Sequence, residues 1–216
     1  MNNFINKWME DLTGKLTAAF GPRLLFVGLQ GSYRRGEETA ASDIDAVVIL
    51  DTLSTADLKE YKNITATMPK AELVCGFISG KAELLNWPKQ EIFQFYNDTV
   101  TFYGNLDAVV PQIGRDDIVN AVKTGASGLY HAAAHTYLHG DIDGVLPALY
   151  KNTFFVLLPL QYLRDGKFHS SRKELLANLN GIDKEILEIC MGKESPPQEK
   201  FEKLFNWCGA LLRADL

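Results

Sequence analysis

Val27-Gly28-Leu29-Gln30-Gly31-Ser32-Tyr33-Arg34-Arg35-Gly36, followed by Ser42-Asp43-Ile44-Asp45-Ala46-Val47-Val48-Ile49-Leu50, decides how this chain folds. The two runs read as strand, Gly-Ser turn, short helix, loop and second strand. Side chains two apart on a strand share a face, so Asp43 and Asp45 should present paired carboxylates while Ile44 turns into the core. Such a pair suits Mg²⁺, which keeps several waters and is held by one or two carboxylates plus substrate phosphates. Gly31 and Ser32 would receive those phosphates, because glycine admits close backbone approach and amides at a helix start point their N–H groups at anions. Together the two halves predict one nucleoside-triphosphate site.

These residues resemble the polymerase-beta-type nucleotidyltransferases, whose signature is a strand ending in Gly-Ser and, roughly ten residues on, Asp-x-Asp opening an apolar strand. Here the elements are Gly31-Ser32 and Asp43-Ile44-Asp45, leading into the apolar run Ala46 to Leu50. A bare Asp-x-Asp is common in solvated turns. Its conjunction with Gly-Ser and an apolar strand supplies the specificity.

The chain has 216 residues, room for one large domain or two small ones, and its 46% hydrophobic content is enough for a real core. A net charge of −5 argues against a nucleic-acid-binding surface and suits a small cationic substrate better. Cys75, Cys190 and Cys208 are widely spaced and odd in number, so neither a disulfide framework nor a zinc site is indicated, and a cytoplasmic location is expected. Met1-Asn2-Asn3-Phe4 has no apolar stretch of signal-peptide type behind it. The longest apolar run, Thr153 to Leu160, is too short to cross a bilayer, so no membrane partner is expected. A homodimer is compatible with this reading.

Phe4, Trp8, Leu12, Leu16 and Phe20 recur every four residues before Gly21-Pro22, predicting an amphipathic helix over 3–20 that packs on the sheet. Strands are expected over 23–29 and 42–50, and a crossover helix over 55–67, started by Ser54 with Asp57 and ended before Pro69. Lys70 to Ile78 has strand length and carries one carboxylate, Glu72, near its start. A charge in such a run needs a partner. If the run lies beside the strand bearing Asp43 and Asp45, Glu72 would point at the same metal or take a proton from an attacking hydroxyl; otherwise it is an edge-strand acid facing water. Glu83 and Glu91 compete from segments that read as helix and loop. Thr99 to Tyr103 is a plausible last strand, ending at Gly104.

The expected organisation is α+β: a nucleotidyltransferase-type mixed sheet with helices over 1–104, a linker over 105–115, and an α-helical bundle over 116–216. Within the bundle, helices are predicted at 116–139, 143–165, 171–180, 183–191 and 197–214. Pro147 fits a first turn, Pro159 should kink its helix, and Ser171 with Glu174 resembles a capping box.

Lys70-Ala71-Glu72-Leu73 with Gly76, Val100 to Gly104, Asp117-Ile118, Lys151-Asn152 and Asp165-Gly166-Lys167 extend the resemblance to the streptomycin/spectinomycin-type aminoglycoside adenylyltransferases. That likeness implies a drug site in the cleft between the two domains, Glu72 as the catalytic carboxylate, and Asp165 as an acidic substrate contact. The chain departs where that family places a stacking tryptophan, five residues before the acid, and has Leu160 instead.

His131, His135 and His139 share one helical face, at a spacing that serves metal ligation or a polar cleft and helix interface. Arg164 and His169 resemble the Arg-x4-His ribonuclease motif of helical toxins that partner small nucleotidyltransferases, a spacing that also arises by chance. Asp141 and Asp143 read as caps of the next helix or as acids facing a cation. Tyr137 and Tyr162 read as helix packing or as flat surface for sugar rings.

The chemistry predicted is Mg²⁺-dependent transfer of a nucleoside monophosphate, from ATP or another NTP, to a hydroxyl of a small cationic acceptor such as an aminoglycoside. Asp43, Asp45 and Glu72 form the catalytic and metal-binding set, Gly31 and Ser32 hold the triphosphate, and Arg35 or Lys151 pairs with the leaving pyrophosphate. Glu37, Glu38, Asp141, Asp143 and Asp165 are expected to draw amino groups to the acceptor site. The rival reading is a nucleotidyltransferase-fold antitoxin acting on or binding a protein partner.

Overall fold

Asn2 starts the first helix by accepting a hydrogen bond from the Ile5 amide at 3.0 Å. This helix, α1 (Asn3–Phe20), buries Ile5, Trp8, Met9, Leu12, Leu16 and Phe20. Phe4, expected in that stripe, instead lies 38% exposed with the Lys70 ammonium over its ring. The stripe thus keeps Trp8, Leu12, Leu16 and Phe20 of the repeat read in the sequence, with Ile5 in place of Phe4 at its start and Met9 added beside it. The computed structural model describes residues 2–216, and contacts divide the chain into two units, Met1–Gln112 and Ile113–Leu216.

In the first unit the strands are β1 (Leu24–Leu29), β2 (Ile44–Leu50), β3 (Val74–Gly80) and β4 (Val100–Gly104), with α2 (Gly31–Arg35) between β1 and β2. The sheet is mixed, in the order β3-β2-β1-β4. β1 pairs antiparallel with β2 and β4, whereas β3 runs parallel to β2 after the crossover through α3 (Thr55–Ala66). Ile44, Ala46, Val48 and Leu50 pack into one core with the α1 stripe, so Asp45, Val47 and Ile49 face the other side of the sheet. α4 (Lys81–Leu85) and α5 (Lys89–Asn97) connect β3 to β4, which puts both Glu83 and Glu91 on helices.

The second unit holds α6 (Arg115–His139), α7 (Ile142–Asp165), α8 (Arg172–Asn178), α9 (Gly181–Cys190) and α10 (Pro197–Arg213). Its core joins Val122, Ala126 and Leu129 of α6 to Phe154 and Leu157 of α7, Ile186 of α9, and Leu204 and Trp207 of α10. Residues 106–108, read as linker, form a 3-10 turn. Both prolines fall inside α7, which runs unbroken through them, and Pro147 stands beyond its first turn. The Lys123 ammonium closes the end of α10 by donating to the carbonyls of Leu211, Leu212 and Ala214 at 2.8, 3.0 and 2.6 Å. Burial pushes the Cys208 thiol up to about 12, and Cys75, Cys190 and Cys208 are all free. Among the described residues no helix is long and apolar enough to cross a membrane.

Candidate active site

The Gln30 amide donates to the Asp45 carbonyl at 2.9 Å, tying the end of β1 to the start of β2. Gly31 then opens α2 with φ of +74°. A Cβ on Gly31 would stand 1.8 Å from Oδ2 of Asp45, so position 31 needs glycine for its backbone angle and for its closeness to the carboxylate. Ser32 follows, half-buried.

β2 starts at Ile44, two residues later than the sequence suggested, so Asp43 lies just ahead of the strand and is exposed, while Asp45 lies within it and is half-buried. The two still act on each other. Burial pushes the Asp45 carboxyl above the ordinary carboxylate range, the charge of Asp43 adds to the rise, and Arg35 opposes it. Two mutually repelling carboxylates against an open glycine turn fit a small divalent cation whose remaining ligands are waters and phosphate oxygens.

Glu72 departs from the strand position expected of it. Lys70 adopts φ of +58°, and the Leu73 amide donates back to the Lys70 carbonyl at 2.9 Å. The chain is therefore still turning at Glu72, and β3 begins only at Val74. Val74 pairs with Ile44 in parallel register, which leaves the exposed Glu72 at the same end of the sheet as Asp43. Among the described residues no group of three or more His, Cys, Asp or Glu side chains able to hold a metal is found.

The Arg35 side chain, 8% exposed, lies between Asp98, which accepts from Nη1, and Glu37, which accepts from Nε at 3.3 Å. Lys151, the other cation considered for pyrophosphate, lies exposed on α7. Asp98 was not singled out from the sequence. Following α5, it also receives the Gly31 amide at 3.4 Å, and its second oxygen lies 3.9 Å from Arg34. Burial raises its carboxyl, against the pull of Arg35 and Arg34. Gln30 adds to this connection, donating to the Phe95 carbonyl at 3.0 Å and to Thr99 Oγ1 at 2.6 Å.

In the helical unit, Asp165 is held by internal donors. It pairs with His169 Nε2 at 2.7 Å and accepts from Gln161 at 2.8 Å and from the Lys167 amide at 2.8 Å. Desolvation opposes these bonds, but they hold the Asp165 carboxyl below the usual range. Arg164 pairs instead with Asp183 at 2.7 Å, whose other oxygen accepts from the Trp207 indole at 2.6 Å. Arg164 and His169 thus pair with separate carboxylates. His131, His135 and His139 do share a face, with ring centroids 6.0 and 5.2 Å apart, and all three are exposed.

The other acids have structural partners as well. Asp141 caps α7 by accepting from the Gly144 amide at 3.2 Å, and Glu38 accepts from the Asn2 side chain at 2.7 Å. Asp143 lines a cavity of about 260 Å³ with Tyr150, Lys193 and Lys200. Leu160 is buried in the helical core, and Tyr137 stacks on Phe201 with centroids 4.2 Å apart.

Residues 19–102 match the family model of the nucleotidyltransferase domain. Among solved structures, the fold is similar to that of spectinomycin adenyltransferase AAD(9) from Enterococcus faecialis, solved with ATP and spectinomycin, with a TM-score of 0.56 and 13% identity, covering 97% of this chain and 99% of that one. A toxin-antitoxin structure with AMP-PNP aligns at 25% identity and a TM-score of 0.34, covering 60% of this chain and 93% of that one. No curated protein matches the chain.

Proposed function

We propose that this chain, an enzyme built on a polymerase-beta-type nucleotidyltransferase domain, transfers AMP from ATP to a hydroxyl of a small cationic acceptor and releases pyrophosphate. The observation that carries the reading is the contact of Gly31 with Asp45 beside Asp43, which joins a phosphate-binding turn to a carboxylate pair. Asp43 and Asp45 would hold Mg²⁺, which when bound neutralises charge gathering on the α-phosphoryl group. Ser32 would bind triphosphate oxygens through its amide and hydroxyl. Gly31, whose own N–H faces Asp98, contributes closeness of approach.

Glu72, exposed at the end of the sheet where Asp43 lies, would take the proton of the acceptor hydroxyl. The freed oxygen then bonds to the α-phosphorus, and the bond from that phosphorus to the bridging oxygen breaks, with pyrophosphate leaving. Arg35, enclosed by Asp98 and Glu37, is left out of the nucleotide contacts. A cationic acceptor is in keeping with the net charge of −5 and with the fold likeness to an adenyltransferase solved with spectinomycin. The test is incubation with α-labelled ATP and Mg²⁺ against aminoglycosides, aminocyclitols, polyamines and neutral or acidic metabolites. Label should pass to an amino-bearing acceptor; transfer confined to neutral or anionic acceptors, or to none, overturns the reading.

A further inference from the structure

We infer that His135 and His139, at the end of α6 in the helical unit, form a binding site for a divalent transition-metal ion such as Ni²⁺ or Zn²⁺. Four residues apart on a helix, the two side chains stand one turn above the other on a single face. Their ring centroids are 5.2 Å apart and the ring planes meet at 62°. Two imidazoles bound to one tetrahedral ion through bonds of about 2.0–2.1 Å bring their ring centres to roughly 5 Å. The rings therefore already stand at the separation that a shared ion needs. Both residues are exposed, so a hydrated ion can reach them.

His131 continues the row, with its centroid 6.0 Å from that of His135. One ion cannot collect all three, because the helix rises about 12 Å from His131 to His139. That agrees with the absence, among the described residues, of any metal-binding group of three side chains. His135 is the shared member of the row and His139 its nearer partner, with water completing the coordination. His139 also lies in the last turn of α6, where the carbonyl ends of a helix favour a cation. The donor set decides the class of ion: imidazole suits Zn²⁺, Cu²⁺ and Ni²⁺, whereas carboxylate and water suit Mg²⁺. An ion held this way ties two turns of α6 together, and because it needs both turns in place it stabilises the folded state.

The test is calorimetric titration of the full chain with Ni²⁺, alongside thermal unfolding with and without the ion. Ni²⁺ should bind the wild type and raise its unfolding midpoint. The exposed Cys75 and the Asp43–Asp45 pair offer other ligands, so each variant is read as a difference from the wild type. His135→Ala should lose both the binding and the rise in midpoint, and His139→Ala should lose more of each than His131→Ala. Without metal all three should unfold near the wild type, since exposed helix positions tolerate alanine. Should His135→Ala prove unstable without metal, His135→Gln carries the same comparison. A wild-type midpoint that Ni²⁺ does not raise, a His135 variant that binds as the wild type does, or a His131→Ala protein weakened as much as His139→Ala overturns the proposal.

Discussion

Gly31 and Asp45 touch: a single methyl group added at Gly31 would lie 1.8 Å from Oδ2 of the carboxylate. Gly31→Ala is therefore expected to cost about 1–3 kcal/mol for its left-handed backbone and, separately, to push Asp45 out of place. Denaturant unfolding and turnover should both fall. A variant with wild-type turnover would show that the turn and the carboxylate do not work as one site.

Asp45→Asn should abolish transfer and yet stabilise the metal-free protein at neutral pH. The Asp45 carboxyl is raised in the fold by burial and by Asp43, so the native state binds its proton more readily than the unfolded chain. The wild type therefore gives up stability as pH rises through the ordinary carboxylate value of about 4 toward the raised one, and the variant does not. Unfolding midpoints across pH should show the variant ahead at neutral pH, with the gap closing in acid. A gap of the same size at every pH would mean that charge is not its cause.

Asp57 gives the opposite sign. Arg23 binds both of its oxygens, at 2.8 and 3.0 Å, and Ser54 completes a capping box at the start of α3. The Arg23 guanidinium, then the Ser54 bonds, hold the Asp57 carboxyl well below its usual range. Its contribution is full above the unfolded value of about 4 and is lost as pH falls through the folded one. Asp57→Asn should lower the midpoint at neutral pH, and the two proteins should converge in strong acid. Melting curves from neutral to strongly acidic buffer decide it, and a variant as stable as the wild type at neutral pH would refute it.

The parts of the fold that were legible in the sequence are those written in local spacing. The Gly-Ser turn, the Asp-x-Asp pair and the apolar run of β2 lie close together along the chain, and the helical periods of the second half placed α6, α7 and α10 to within a residue or two. What escaped was non-local. Asp98 meets Gly31 and Arg35 across 67 and 63 positions, so no spacing marks it. The start of β3 was misjudged because Ala71-Glu72-Leu73 continues the apolar run without a glycine, although Lys70, just after Pro69, takes the left-handed turn that interrupts it. Five acids read as a field for amino groups each look different once folded, since Glu37, Glu38, Asp141 and Asp165 have internal donors and Asp143 lines a cavity.

Asp165 carries the last prediction, because the carboxylate proposed to attract an amino-bearing acceptor is also held by donors within its own unit. Its three internal donors include the buried His169, so Asp165→Ala strands a buried imidazole nitrogen and should cost about 1–3 kcal/mol. Asp165→Asn keeps one oxygen for the Lys167 amide, which binds Oδ1, and turns its NH2 toward the His169 Nε2, which can accept in the other tautomer, so it should hold more of that stability than Asp165→Ala. The carboxylate nevertheless remains 28% exposed, enough for its charge to attract an amino group. The Asn variant should therefore raise KM for cationic acceptors while kcat and the unfolding midpoint stay near wild type. Steady-state kinetics on Asp165→Asn with each amino-bearing acceptor separate the roles. A KM unchanged for all of them would leave Asp165 as the anchor of His169 and take it out of the acceptor site.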